Sequence, residues 1–484
     1  MDDDLPHNQQ PTDPPFPNPN QSHSFRFRPS AIHFSSILIL LLAISFFSFS
    51  KTDFFKTHSL KLTHLLKNSN QTPFPNPFCV LWMAPFVSGG GYSSEAWSYI
   101  LALHDHITNP GFRLAIQQHG DLESINFWEG LPDSIRNLAI ELHRTKCRMN
   151  ETVVICHSEP GAWNPPLFET LPCPPGAYQN FKSVIGRTMF ETDRVSQEHV
   201  NRCNRMDYVW VPSEFHVSTF VKSGVDPSKI VKVVQPIDVN FFDPLKYKPF
   251  SLESVGTLVL GAKNLEVSLE KKGFVFLSIF KWEFRKGWDL LLEAYLREFC
   301  KKDGVGLFLL TNPYHTDSDF GNKILDFVEN SDLQMPLSGW APVYVVDIHI
   351  PQTDLPRVYK AADAFVLPSR GEGWGRPLVE AMAMSLPVIA TNWSGQTEFL
   401  TDENSYPLPV ERMSEVKEGP FEGHLWAEPS ISKLQVLMRE VTTNVDEAKA
   451  KGRRAREDMV SRFSPDIVAD IVHSQIQNIF HEKR

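Results

Sequence analysis

Cysteine is scarce in this chain of 484 residues, and its six copies, at positions 79, 147, 156, 173, 203 and 300, are widely scattered. No two of them have CxxC spacing, so the pattern favours neither a zinc site nor a disulfide-dense scaffold, although isolated bridges remain open. The glycine run at residues 89–91 is not part of a G-x-G-x-x-G motif, which argues against a dinucleotide-binding fingerprint there.

Positive charge is also in short supply, because the formal net charge at neutral pH is -10. This balance argues against a nucleic-acid partner, although it leaves room for a local basic patch. Hydrophobic residues make up 42% of the chain and charged residues 21%, which is typical of a globular protein. A chain of this length is expected to fold as two or three domains with a large core.

The N-terminal segment differs in composition from the rest of the chain. Residues 1–30 hold seven prolines together with Asn, Gln and Asp, which predicts a disordered head. Residues 31–50 carry no charge and include the most apolar run of the chain, which predicts a transmembrane signal-anchor. A cleaved signal peptide and an organelle transit peptide remain open as alternatives. Residues 51–77 are predicted to form a polar stem.

From residue 78 onward, short apolar runs alternate with helical patterns. Such alternation predicts an α/β fold built from two doubly wound, Rossmann-like domains. The predicted segments are a first domain over 78–245, a linker or insertion over 246–272 with an extra strand at 257–260, a second domain over 273–445, and C-terminal helices over 446–484.

One stretch of the second domain carries the strongest chemical signal. Residues 364–367 form an apolar run typical of a buried strand, residues 371–375 form a glycine loop, and residues 376–384 are predicted to be a helix. A glycine loop between a strand and a helix is an anion site, because the helix start presents free N–H groups and a positive dipole end. Glu372 and Glu380 lie eight positions apart across this junction.

This Glu-x7-Glu spacing resembles the retaining nucleotide-sugar glycosyltransferases of family 4, which have the GT-B fold of two domains facing a cleft. The resemblance implies that Glu372 lies by the donor sugar and that Glu380 binds the nucleotide ribose. It also implies that backbone amides of the loop hold the donor diphosphate and that the last helix crosses back to the first domain. The residues implied to bind the donor at this junction are Gly373, Trp374, Gly375 and Arg376.

Two lysines occupy the positions where the family usually has Gly-Arg-x4-Lys-Gly. This chain has Phe280 and Lys281 in place of Gly-Arg, and the five-residue step to Lys286 and Gly287 is kept. The resemblance implies that Lys281 and Lys286 clasp the donor phosphates. Lys281 preserves the charge of the usual arginine but not its bidentate geometry.

The first domain supplies further candidates at its strand ends. Gly90 belongs to a glycine loop that in the family lies under the donor diphosphate, and His157 follows a buried strand where relatives place a histidine near the donor sugar. A plain tight turn at Gly90 and a turn-capping role for His157 remain open. Arg187, Glu191 and Asp193 alternate, so they are expected to share one strand face, as an acceptor site or as a salt-bridged structural cluster.

The resemblance therefore implies a retaining, metal-independent hexosyltransferase with Glu372, Lys286 and His157 at its reaction centre. Its donor is expected to be a UDP or GDP sugar, with no cofactor, no metal and no nucleic-acid partner, and its acceptor a glycan, lipid or protein. The expected location is the Golgi or ER membrane with the catalytic part in the lumen, and organelle-targeted or cytosolic locations are the alternatives. The competing hypotheses are a non-catalytic GT-B nucleotide-sugar-binding or scaffold protein and, less favoured, a glycoside hydrolase using the two glutamates.

Overall fold

The computed structural model of the protein describes residues 78–107, 111–121, 123–262, 266–267, 271–313 and 319–481. The head, anchor and stem expected over 1–30, 31–50 and 51–77 therefore lie outside the described residues. Within the described part of the chain, no helix combines the length and the apolar character needed to span a bilayer.

The first domain is built on a six-stranded sheet with the order β2-β1-β3-β4-β5-β6, and every neighbouring pair is parallel. Its strands read as continuous apolar runs because helices cover both faces of a parallel sheet. All six residues of β3, for example, are buried. The strands are β1 (Cys79–Ala84), β2 (Arg113–Gln118), β3 (Thr152–His157), β4 (Ser183–Arg187), β5 (Tyr208–Val211) and β6 (Ile230–Lys232).

The second domain is built on a seven-stranded sheet with the order β15-β14-β13-β10-β11-β12-β7. All neighbours are parallel except the edge strand β7, which runs antiparallel to β12. The segment expected as a linker or insertion thus contributes this edge strand to the second sheet. The strands are β7 (Thr257–Leu260), β10 (Phe274–Trp282), β11 (Val305–Pro313), β12 (Val343–Val346), β13 (Ala364–Leu367), β14 (Val388–Thr391) and β15 (Tyr406–Leu408).

Helices connect these strands, and two small antiparallel hairpins complete the described elements. The hairpins pair β8 (Glu266–Val267) with β9 (Lys271–Lys272) and β16 (Val410–Glu415) with β17 (Leu425–Pro429). The helices are α1 (Gly91–His106), α2 (Ile125–Gly130), α3 (Asp133–Arg144), α4 (Gln197–Cys203), α5 (Glu214–Ser223), α6 (Leu252–Val255), α7 (Trp288–Glu298), α8 (Phe320–Asn330), α9 (Leu355–Lys360), α10 (Arg376–Ala383), α11 (Ile431–Thr443), α12 (Val445–Arg462) and α13 (Pro465–His481).

The C-terminal helices divide between the two domains. Helix α13 packs in the core of the first domain, where the Phe480 ring lies 4.6 Å from the Phe78 ring. Helix α12 instead buries Ala455 and Met459 in the core of the second domain. The predicted C-terminal segment over 446–484 therefore contains one helix that packs with each domain.

Two disulfides link strands of the first sheet to the segments that follow them. Cys79 at the start of β1 is bonded to Cys147, and Cys156 near the end of β3 is bonded to Cys173. The remaining described cysteines, Cys203 and Cys300, are free. The sequence had left isolated bridges open, and the structure contains two of them.

Candidate functional site

The order of strands in the second sheet changes direction between β10 and β13. Strands β11 and β12 continue on one side of β10, and β14 and β15 continue beyond β13 on the other. In open α/β sheets, ligands bind outside the carboxyl ends of the strands at such a switch point. The loops that follow β10 and β13 carry Lys286 and Glu372, so the fold brings these two predicted residues together.

Lys286 and Glu372 form a close ion pair. The Lys286 Nζ atom donates to both carboxylate oxygens of Glu372, at 2.8 and 2.9 Å. Burial alone would raise the pKa of Glu372, but the charges of Lys286 and Arg285 outweigh it and lower that pKa. Glu372 is thus held as a carboxylate, and its negative charge is matched before any ligand arrives.

A glycine makes this contact possible. Gly287 follows Lys286 with φ +68°, and a Cβ atom there would lie 2.1 Å from the backbone oxygen of Pro368. A side chain at this position would force the two switch-point loops apart. The glycine that follows Lys286 is therefore required for steric reasons, because it lets the loop after β10 lie directly against the loop after β13.

Arg285 lies next to this pair. Its Nη1 atom donates to the Gly371 carbonyl oxygen at 2.6 Å, and its guanidinium lies 3.0 Å from Glu283 and 3.5 Å from Glu372. The sequence analysis gave Arg285 no role, because a charged side chain beside a lysine is commonly solvated. Its position ties the glycine loop to the turn that holds Lys286.

The glycine loop is also shaped by the first domain. A Cβ atom at Gly371 would lie 2.1 Å from the Glu191 backbone oxygen, and one at Gly373 would lie 2.7 Å from the Met189 sulfur. These glycines are needed because residues of the first domain pass directly against the loop. The loop thus forms a contact between the domains as well as a wall of the cleft.

Helix α10 begins at the end of this loop with Gly375 as its N-cap and Pro377 in its first turn. The backbone amides of Gly373, Trp374, Gly375 and Arg376 have no acceptor within the described part of the chain. The Trp374 side chain is buried and packs on Phe399 and Phe463. The expected role of Trp374 can therefore rest only on its backbone amide, and its indole belongs to the core.

Glu380 lies one turn into helix α10 and faces the same cleft. The Tyr359 hydroxyl donates to its Oε2 atom at 2.8 Å, and the Arg376 Nε atom lies 3.9 Å from its Oε1 atom. Burial raises the pKa of Glu380 despite the opposing effects of Arg376 and Tyr359. The Oε2 atom of Glu380 is held by the Tyr359 hydroxyl. The contact of Oε1 with Arg376 is longer, so Oε1 can still accept a hydrogen bond from a ligand hydroxyl.

A second helix N-terminus lines the opposite wall. Helix α1 starts after Gly90, whose amide donates to the Ser88 Oγ atom at 3.2 Å. The Tyr92 hydroxyl donates to the Met189 carbonyl oxygen at 3.1 Å, which fixes the segment that contacts the glycine loop. The positive ends of α1 and α10 therefore border one cleft, which favours an anion between them.

The cleft between the two domains has a volume of about 1560 Å³. Lys281 is exposed on its wall, and no carboxylate in the described residues lies within 4.0 Å of its ammonium group. Most of the residues predicted from the sequence line this cleft. They are Gly90, Lys281, Lys286, Glu372, Gly373, Trp374, Gly375, Arg376 and Glu380.

His157 does not line the cleft, which corrects the expected contact with the donor sugar. Its side chain is 0% exposed, and its Nδ1 atom accepts a hydrogen bond from the Trp82 indole at 3.0 Å. Its Nε2 atom lies 3.0 Å from the Glu95 carboxylate, and burial lowers its pKa. Both ring nitrogens therefore lie against groups of the protein itself, and neither faces the cleft.

Glu95 joins His157 to a buried arginine. Arg187 donates to one Glu95 oxygen from two nitrogens, at 2.8 and 2.5 Å, and to the Val233 carbonyl oxygen at 2.8 Å. Burial would raise the pKa of Glu95, but Arg187 and His157 together lower it to about 2. This network lies beneath the start of helix α1 and therefore stabilises the cleft wall that this helix forms.

Arg187, Glu191 and Asp193 do not share a strand face, which corrects a second expectation. Strand β4 ends at Arg187, so the alternation does not continue. Glu191 lines the cleft, whereas the Asp193 carboxylate accepts from the Leu425 backbone amide at 2.7 Å. The structural alternative applies to Arg187 and Asp193, and only Glu191 remains a candidate for a ligand contact.

The hairpin of β16 and β17 is a part of the site that the sequence analysis missed. Its end reaches the first domain, where the His424 Nδ1 atom and the Thr192 hydroxyl are 2.9 Å apart and the Asp193 amide donates to the Leu425 carbonyl at 2.9 Å. Residues 414–421 of this hairpin line the cleft. The turn glycines Gly419 and Gly423 were a signal that could have indicated it.

The described residues contain no group of three or more His, Cys, Asp or Glu side chains arranged to hold a metal ion. Metal independence stays a prediction.

Residues 271–416 match the family described as Glycosyl transferases group 1. Mannosylfructose-phosphate synthase of Agrobacterium fabrum is 31% identical over 129 residues, which cover 26% of this chain and 26% of that protein. An Escherichia coli protein, UDP-Gal:alpha-D-GlcNAc-diphosphoundecaprenol alpha-1,3-galactosyltransferase, is 26% identical over 190 residues, which cover 37% of this chain and 41% of that protein. The matches thus span well under two thirds of these relatives.

The solved structure of HepE from Anabaena in complex with UDP and glucose is similar over a longer range. The likeness covers 83% of this chain and 100% of that one, with a TM-score of 0.55 and 13% sequence identity. At this identity the comparison shows the fold, which is GT-B-like and confirms the two-domain α/β prediction. The chain therefore has a GT-B-like fold in which residues 271–416 match the glycosyl transferases group 1 family.

Proposed function

We propose that this protein is a retaining glycosyltransferase of family 4 that transfers a hexose-type sugar from a nucleoside-diphosphate sugar to an acceptor. The observation that carries the proposal is the Lys286–Glu372 pair at the switch point of the second sheet, between two helix N-termini. Solved structures of HepE contain UDP and UDP-glucose, which supports a UDP-type donor for this GT-B-like fold.

The cations and amides of the cleft suit a leaving nucleoside diphosphate. An ammonium group has three donors, and Lys286 uses two of them on Glu372, so one remains for a phosphate oxygen. The Lys281 ammonium and the amides of residues 373–376 add further positive potential. Such fixed donors stabilise negative charge as it develops on the leaving group, without reorganisation during the reaction.

The two glutamates have different environments and therefore different proposed roles. Glu372 is ionised and held next to Lys286, so it orients the donor sugar and the lysine together. Glu380 accepts from Tyr359 and has an oxygen available for the hydroxyls of a ribose. We infer no protein nucleophile, and same-face attack assisted by the donor phosphate fits this arrangement. Glu191 lines the cleft from the first domain, and we propose it as a contact for the acceptor.

We also propose that the catalytic part lies in the lumen of the Golgi or ER. The two disulfides of the first domain support this location, because such bonds persist in oxidising compartments and are rare in the cytosol.

Replacing Glu380 with Ala should weaken binding of UDP about 10- to 100-fold, because a hydrogen bond to a charged group is lost. Isothermal titration of the purified protein with UDP measures this change. Tyr359→Phe is the matched control, since it removes the buried partner of Glu380 while leaving the carboxylate in the cleft, and it should have a smaller effect. Unchanged UDP affinity in the Glu380→Ala variant would show that Glu380 does not bind the ribose.

A panel of UDP and GDP sugars separates the transferase from a non-catalytic sugar-binding protein. The proposed enzyme should release nucleoside diphosphate from one donor, slowly with water and faster with a suitable acceptor. Binding of a nucleotide sugar without any turnover across the panel would favour the non-catalytic alternative.

A further inference from the structure

The half of the cleft on the side of the β16–β17 hairpin has a different chemical character. It is formed by the segment around Glu191, the turn after β10 and the hairpin of β16 and β17. If the proposed function holds, this half receives the acceptor, because the donor occupies the other half. The inference below rests on that assignment.

This half of the cleft is acidic. It is lined by five carboxylates, Glu191, Glu283, Glu415, Glu418 and Glu428. The lining cations here are Lys286, Arg285 and Lys417, and each lies beside a carboxylate: Lys286 is 2.8 Å from Glu372, Arg285 is 3.0 Å from Glu283, and Lys417 is 3.5 Å from Glu415. Glu428 is in turn paired with Arg370 at 2.9 Å, so the excess of carboxylates comes from Glu191, Glu418 and Glu415. A phosphate or another anion would meet unfavourable charge here, whereas sugar hydroxyls would find acceptors.

Two aromatic rings offer an apolar surface in the same place. Phe284 is 51% exposed, and its ring centroid lies 6.2 Å from that of Trp426. The Arg370 guanidinium covers the Phe284 ring at 3.7 Å and is itself held by Asp289 and Glu428, so Phe284 is fixed in position. Exposed aromatic faces surrounded by hydroxyl acceptors suit the apolar face and the hydroxyls of a pyranose.

The aromatic surface continues beyond the cleft. Phe284 also lines a groove of about 520 Å³ together with Trp282, Trp288 and Phe327. The Trp282 and Trp288 rings are stacked at 4.8 Å, and the polar residues that line the groove are Lys323, Asp326, Asn330 and Ser331, so one lysine and one aspartate balance each other in charge. One ring thus belongs to both surfaces, so a ligand longer than one sugar could contact them in sequence.

We propose that the acceptor is an uncharged oligosaccharide. Its reacting sugar lies on Phe284 and Trp426 within the acidic half of the cleft, and the sugars behind it lie in the groove lined by Trp288 and Phe327. Two observations favour this occupant over a phosphorylated sugar or a phospholipid. Phe284 belongs to both surfaces, and the carboxylates that line the cleft here can accept from uncharged hydroxyls but would repel a phosphate.

The test uses the purified full-length protein, saturated with UDP, on an array of neutral oligosaccharides with their sulfated and phosphorylated counterparts. We expect binding to neutral oligosaccharides and weaker binding to the charged counterparts. Trp426→Ala and Trp288→Ala should each weaken that binding about tenfold through loss of an aromatic platform. Phe168→Ala is the matched control, because Phe168 is 45% exposed and lies outside both surfaces, and it should change nothing.

Preference for charged glycans, no binding to any glycan on the array, or equal binding by the tryptophan variants and the wild type would each overturn the proposal. Titration with UDP and with GDP separates this failure from failure of the proposed function. If either nucleotide still binds, only the acceptor assignment is lost, whereas absence of binding by both contradicts the donor site itself. Thermal unfolding of each variant shows that it is folded before its binding is compared.

Discussion

The Lys286→Ala variant should transfer sugar ~10²–10³ times more slowly than the wild type, because it lacks a fixed donor aimed at the leaving phosphate. The loss should appear mainly in kcat, since the charge on the phosphate grows during bond cleavage. In this variant Glu372 also loses its closest cation. Among the described residues, Arg285 then remains within 4.0 Å of Glu372, at 3.5 Å. Steady-state kinetics with the donor identified by the panel measures the effect.

Two further variants give this prediction its controls. Lys286→Arg retains the charge but places a planar fork where a point charge fits, so its rate should lie between those of the wild type and Lys286→Ala. Lys433→Ala removes an exposed lysine far along the chain, on helix α11, and should leave the rate unchanged. If the Lys286→Ala enzyme had the wild-type kcat, Lys286 would not stabilise the leaving phosphate, which would contradict the proposal.

The Glu95→Ala variant should be less stable by about 3–5 kcal/mol, because it leaves the Arg187 guanidinium buried without its partner. Both side chains are 1% exposed, so water cannot take over the role of the lost carboxylate. His157 loses its contact with Glu95 in the same variant, so the whole network under helix α1 is affected. Denaturant unfolding followed by tryptophan fluorescence gives the change in free energy.

The exposed pair of Glu214 and Lys232 supplies the comparison for Glu95. Glu214 is 70% exposed, so Glu214→Ala should cost about 1 kcal/mol or less. The double variant Glu95→Ala/Arg187→Met should recover much of the lost stability, since it removes the uncompensated charge as well. Equal stability of Glu95→Ala and the wild type would contradict a structural role for the network.

The second domain was largely predictable because its signal is local. A buried strand, a glycine loop and a helix follow one another within residues 364–384, so chain order alone places Glu372 and Glu380 near a helix N-terminus. Lys286 could be placed by its spacing and its following glycine. Its direct contact with Glu372, however, depends on the strand order that puts β10 beside β13, which no local pattern contains.

His157 shows where local reasoning fails. Its position after a strand indicated a ligand contact, yet whether such a side chain faces the cleft or the core depends on its neighbours from other strands and helices. Here Trp82 on β1 and Glu95 on α1 lie against its two nitrogens. These partners are 75 and 62 positions away in the chain, and only the folded sheet brings them together.

The hairpin of β16 and β17 was missed for a related reason. Its first strand, β16, is mostly polar, and the hairpin stands outside both sheets and contacts the first domain through His424 and Leu425. Hydrophobic alternation is therefore weak, and only the turn glycines give a signal. The acceptor half of the cleft depends on this hairpin, so the acceptor class could not be derived from the sequence.

A crystal structure of the protein with UDP tests the central claim most directly. We expect the diphosphate to lie between the start of helix α10 and the Lys286 ammonium. Its phosphate oxygens should be within hydrogen-bond distance of Lys286 and of the amides of residues 374–376, and the ribose should contact Glu380. UDP bound elsewhere, or with its phosphates away from both Lys286 and the α10 amides, would contradict it.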